Sequence, residues 1–85
     1  MAQFYFHLRD GADKLLDPDG IECDRDAVAG KALGTVRDLI AHDAVGGAID
    51  LTYRIEVEDA AGQIVHLLRF EDAVTINRGK LPVPV

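Results

Sequence analysis

Leu51-Thr52-Tyr53-Arg54-Ile55-Glu56-Val57-Glu58-Asp59-Ala60-Ala61-Gly62-Gln63-Ile64-Val65-His66-Leu67-Leu68-Arg69-Phe70 decides the fold of this chain. Leu51, Tyr53, Ile55 and Val57 alternate with Thr52, Arg54, Glu56 and Glu58, the period of two of a strand with one buried face. Ala60-Ala61-Gly62 fits a three-residue hairpin closed by a left-handed glycine. If Asp59 pairs with Gln63, Val57 lies opposite Val65, Ile55 opposite Leu67 and Tyr53 opposite Arg69. Glu58/Ile64, Glu56/His66, Arg54/Leu68 and Thr52/Phe70 then share the other face. That register sends Ile64, Leu68 and Phe70 to the side away from a covering helix. A β-bulge would change the register, and a C-terminal arm folded over this face would cover it.

Upstream, Phe4-Tyr5-Phe6-His7-Leu8-Arg9-Asp10-Gly11 reads as a strand from about Gln3 to Arg9 followed by a turn. Phe4, Phe6 and Leu8 take the core face, and Tyr5, His7 and Arg9 the other. Lys14-Leu15-Leu16 suits a short returning strand, and Asp17-Pro18-Asp19-Gly20 a tight turn. Ile21-Glu22-Cys23 leads to a helix that starts at Arg25, with Asp24 as N-cap and Asp26 near the positive end of the dipole. Val28, Ala29, Ala32, Leu33, Val36, Leu39 and Ile40 form its apolar stripe. Asp43 would fall inside that stripe, so the helix is expected to end near His42.

The fold class is α+β: an antiparallel sheet of three to four strands packed on one side by one amphipathic helix, in the order β-(β)-α-β-β. Eighty-five residues make one domain. Residues 1–72 are assigned to it and residues 73–85, ending in Leu81-Pro82-Val83-Pro84-Val85, to an extended arm. A chain this short buries only roughly 60% of its unfolded surface, so a partner subunit would help it. A single cysteine, Cys23, rules out an intrachain disulfide and suits a reducing compartment. Without a signal-peptide pattern or a membrane-length apolar run, the expected location is the cytoplasm.

The net charge is -6, with Asp10, Asp13, Asp17, Asp19, Glu22, Asp24 and Asp26 facing only Lys14 and Arg25 in one segment. Such a surface repels phosphate backbones and argues against direct nucleic-acid binding. It suits a basic protein partner. Catalytic and metal patterns are wanting. His7, His42, His66 and Cys23 lack metal-ligand spacing, although adjacent strands could bring His7 near His66, and cross-strand Glu56 offers His66 an ion-pair partner. The glycine of Asp17-Pro18-Asp19-Gly20 sits too early for a calcium loop. Gly30-Lys31-Ala32-Leu33-Gly34-Thr35 has no Ser or Thr after its lysine and lies inside a helical pattern, so it is no phosphate loop. With Ala27 and Ala41, Gly30 and Gly34 form a small-residue strip on the back of the helix. The chain contains no serine, and Cys23 beside Glu22 and Asp24 is poorly placed to become a thiolate.

Phe4-Tyr5-Phe6-His7-Leu8-Arg9-Asp10-Gly11, Asp17-Pro18-Asp19-Gly20-Ile21-Glu22, the alanine-rich helix and Val57-Glu58-Asp59-Ala60-Ala61-Gly62-Gln63-Ile64-Val65 through Phe70 and Asp72 together resemble a family of small proteins of unknown function common in alphaproteobacteria, DUF6894-like. The resemblance implies a compact single domain but no activity, substrate or cofactor. Arg69 stands where that pattern is expected to carry proline. At the level of fold alone, the acidic turn and alanine-rich helix also resemble a HicB-type antitoxin. The expectation is a noncatalytic interaction domain, not an enzyme, without cofactor or metal, and homodimeric through the outer sheet face, with Tyr5, His7, Ile64, Leu68 and Phe70, or through an edge strand. The alternative is an antitoxin-like or regulatory module whose acidic loop, Asp10, Asp13, Asp17 and Asp19, engages a basic partner.

Overall fold

The structure, a computed structural model, describes residues 1–11 and 13–77. Strand β1 (Ala2–Arg9) is followed by β2 (Lys14–Leu15), β3 (Ile21–Cys23), a 3-10 turn (Arg25–Ala27), α1 (Val28–Val45), β4 (Arg54–Asp59), β5 (Ile64–Arg69) and the single turn α2 (Phe70–Ala73). The chain is α+β, with one antiparallel five-stranded sheet in the order β2-β1-β4-β5. The fifth strand, β3, shares an edge of β1 with β2: it pairs with Ala2, Gln3 and Phe4, while β2 pairs with Leu8 and Arg9. Read as a lead into the helix, Ile21–Cys23 is instead this extra strand. Its pairing takes the chain past a gap at Tyr5–His7.

The core lies between α1 and the sheet. Val28, Ala32, Val36 and Ile40 are buried at the i, i+4 spacing of one helix face, against Phe4, Ile55, Val57 and Phe70. Full burial of Ile55, Val57 and Val36 stabilises the fold by about 1.5–3 kcal/mol each. Ala29, at the margin of the expected stripe, is exposed. Asp24 makes no side-chain cap; its backbone carbonyl accepts from Ala27 N–H, because the chain enters α1 through the 3-10 turn. At the other end α1 runs to Val45, past the expected stop, and exits through Gly47 at φ 90°. The helix tolerates Asp43 because that side chain lines an open groove.

The hairpin loop forms as read, with Gly62 at φ 80°, Gly62 N–H donating to Asp59 O and Asp59 N–H donating to Gln63 O. The register beyond it does not. A bulge between Val57 and Glu58 places Ile64 opposite Glu58 but His66 opposite Val57, Leu67 opposite Glu56, Leu68 opposite Ile55 and Arg69 opposite Arg54. A straight ladder would have set charged Arg69 beside Tyr53 on the core side. One extra residue turns it out and brings Leu68 in, exchanging a costly buried charge for apolar burial. Phe70 is consequently not a partner of Thr52: it opens α2, 2% exposed, with its N–H donating to Tyr53 O at 2.9 Å. Arg37 Nε donates to Ala73 O at 2.9 Å and ties α2 to α1. The start of the assigned arm, Ala73, is buried, and residues 78–85, including Leu81–Val85, lie outside the described residues.

Candidate functional site

Of the residues expected to form an outer apolar surface, the fold leaves Tyr5 and Ile64 there. Leu68 packs against the core and Phe70 is part of it. His7 is on the outer face but buried, with its ring stacked on Tyr5 at 6.4 Å between centroids. Asp17 N–H donates to His7 Nδ1 at 3.0 Å, so the neutral ring carries its proton on Nε2, 3.4 Å from Glu58 Oε2. His66 and His7 are not neighbours, since β4 separates β5 from β1. The cross-strand partners of Glu56 are His7 and Leu67, and His66 faces Val57. Leu67, half exposed opposite Glu56, takes the outer position that the straight register had given to His66.

The same register aligns Arg9, Arg54 and Arg69 across three strands. Like charges directly opposite repel, and one residue offsets most of this: Glu56 lies 2.8 Å from both Arg9 Nε and Arg54 Nε. The Arg54 contact is a hydrogen bond, whereas Arg9 N–H is not aimed at the oxygen and its contact is purely electrostatic. Glu71 and Asp72 screen Arg69.

The acidic loop divides into parts with different work. Asp17 turns inward and fills the gap between β2 and β3: its Oδ2 accepts from Phe6 N–H at 3.2 Å, and its Oδ1 from Asp19 N–H at 3.3 Å and Gly20 N–H at 3.1 Å. The carboxylate thus stands in for a missing strand rung. Gly20, at φ 70°, closes this turn where an added Cβ would lie 2.8 Å from Phe4 O, so no other residue fits. The exposed Asp19 accepts Gln3 Nε2 on its carbonyl at 2.6 Å. Asp10 and Asp13 clasp each other: Asp13 N–H donates to Asp10 Oδ1 at 2.8 Å, and Asp10 N–H to Asp13 O at 2.9 Å.

Asp13 also reaches a groove that the sequence reading missed. Helix α1 rests on β4 and β5, and the inner face of the sheet continues beyond it to β1 and β2. Two adjoining cavities of about 440 and 310 Å³ open there, sharing Leu8, Leu15 and Leu39. The signals were present in Leu15-Leu16, two apolar residues at the end of a very short strand, and in Asp43 within the helical stripe. At the groove wall the Tyr53 phenol is pushed above its ordinary value near 10, chiefly by the charge of Asp10, with desolvation and the charges of Asp13 and Asp50 adding. Hydrogen bonds from the Thr52 hydroxyl and backbone N–H hold Asp50 below the usual carboxylate range.

The phenol shift has a defined sign. A raised folded-state value means that any stabilisation from neutral Tyr53 is complete below about 10 and is lost as pH rises through the folded value. In a Tyr5→Phe protein, ultraviolet titration should find the remaining phenolate forming later than in the unfolded chain. Adding Asp10→Asn should move it back down; an unchanged midpoint would contradict the assigned cause.

No three His, Cys, Asp or Glu side chains among the described residues gather in a metal-holding group. Cys23 is a buried free thiol. Gly30 and Gly34 on the helix back are exposed, with open space where a Cβ would be.

A five-stranded sheet with a helix on one face, its edge sealed by an aspartate, defines a small α+β domain. Residues 3–71 match a domain of unknown function, DUF6894, and the chain belongs to that family. No curated protein and no solved structure matches it.

Proposed function

We propose that this chain is a noncatalytic, cytoplasmic interaction domain that pairs with a second copy of itself. The observation that carries the reading is the outer edge of the sheet: β5 has no strand beyond it among the described residues, and it exposes Ile64 and Leu67, at 49% and 50%. An open strand edge with apolar side chains is a template for pairing with another chain. Ile64–Arg69 contains no acidic residue, so two copies of a chain with net charge -6 meet there with little local repulsion. Buried, unbridged Cys23 suits a reducing compartment, and no helix among the described residues is long and apolar enough to cross a membrane.

Sedimentation velocity over a concentration series tests this. A dimer is expected, and Leu67→Lys should weaken it by about tenfold or more, roughly 1.4 kcal/mol, without lowering the thermal midpoint. A monomer at every concentration overturns the reading. A second reading, a regulatory or HicB-like module that engages a basic protein, is favoured by the carboxylates around the groove.

A further inference from the structure

The groove beside α1 differs from end to end. One end, beside Phe6, Leu16 and Ile55, is apolar; its only carboxylate among the described residues, Asp17, is occupied by backbone N–H groups of β1 and of its own turn. The other end keeps an apolar floor of Leu8, Leu39 and Phe70 but carries Asp13, Asp43 and Asp50 against a single base among the described residues, Lys14. Those three carboxylates come from the turn before β2, the last turns of α1 and the connection to β4. The tertiary fold brings them to one rim. At the groove wall the charges of Asp10, Asp13 and Asp50 all disfavour the phenolate form of Tyr53. Leu15, shared by the two ends, and Leu16, at the apolar end, stay 69% and 51% exposed.

We infer that this groove docks a segment of a partner protein that presents an apolar side chain beside a lysine or arginine. The apolar end gains by covering Leu15 and Leu16, and the cation meets carboxylates on more than one side. A metal ion would need ligands converging on one point, and these carboxylates form no such group. A second copy is a poorer occupant, since the chain's net charge of -6 repels another negative chain from a negative rim. The size of the paired cavities, about 440 and 310 Å³, exceeds what one side chain needs and suits two neighbouring ones. This inference rests on the basic-partner reading and is independent of self-association.

The test is titration of the ¹⁵N-labelled full chain with a blocked peptide of alternating leucine and lysine, followed by amide shifts. Saturable shifts at Leu15, Leu39 and Asp43 that weaken with added salt are expected, as is about a tenfold loss of affinity in an Asp43→Asn/Asp50→Asn protein with an unchanged circular dichroism spectrum. The leucine–glutamate counterpart should not bind. Equal binding of that counterpart, or of hexylammonium alone, overturns the inference by making the site purely apolar or a small-amine pocket. Shifts confined to other acidic surfaces overturn the groove but leave the basic-partner reading standing. No binding of the basic peptide anywhere removes both, while dimerisation is read separately from shifts at Ile64 and Leu67 that depend on protein concentration.

Discussion

Phe70→Ala is expected to lower the unfolding free energy by about 3–5 kcal/mol, the usual cost of emptying a buried aromatic site. Phe70 is 2% exposed, its ring lies 5.8 Å from that of Tyr53, and it opens the turn that Arg37 ties to α1. Small domains have total stabilities of only about 5–15 kcal/mol, so this one change would bring an 85-residue chain close to unfolding at ordinary temperature. Urea denaturation followed by circular dichroism measures it, with Leu67→Ala as the companion. Leu67 is half exposed, and its truncation should cost no more than about 0.5 kcal/mol. A small loss at Phe70 with a large one at Leu67 would restore the straight hairpin register and contradict the bulge.

Asp17→Ala should cost about 2–3 kcal/mol, through a different mechanism. Three backbone N–H groups lose a charged acceptor, and the partly buried one, on Phe6, is poorly placed to find water instead. The loss would be local. β3 and β2 would no longer be held in line along β1, and hydrogen exchange at Phe6 should quicken more than at Val57, which is fully buried at the centre of the sheet. Asp17→Asn keeps one oxygen but can turn an amide donor toward another donor, so it should recover only part of the loss. Unchanged exchange at Phe6 in the alanine protein would show that the carboxylate does not seal the edge.

Both predictions concern residues that sequence reasoning had set on the surface, one as a contact residue and one as a partner-binding acid. The reasons differ. Phe70 was misplaced because strand alternation was carried across Val65, and a single bulged residue inverts every position that follows it. Asp17 was read as part of a solvated acidic loop because its composition is all that a loop offers. Its hydrogen-bond partner on Phe6 is eleven residues away and becomes visible only when β3 folds back onto β1.

What the chain determines by itself is local and periodic. Alternation in Ile55–Glu58 makes a strand with one apolar face, Gly62 permits the left-handed corner of the hairpin, and Val28, Ala32, Val36 and Ile40 commit one side of the helix to the core. Each depends on residues within a turn or two of one another. The tertiary structure decided the bulge, the pairing of Ile21–Cys23, the continuation of α1 through Asp43 to Val45, and the stretch of sheet left uncovered beside the helix. These choices compare alternatives that are locally equivalent, and they are settled by which one buries Leu68 and Phe70, keeps Arg69 in water and gives the N–H of Phe6 an acceptor.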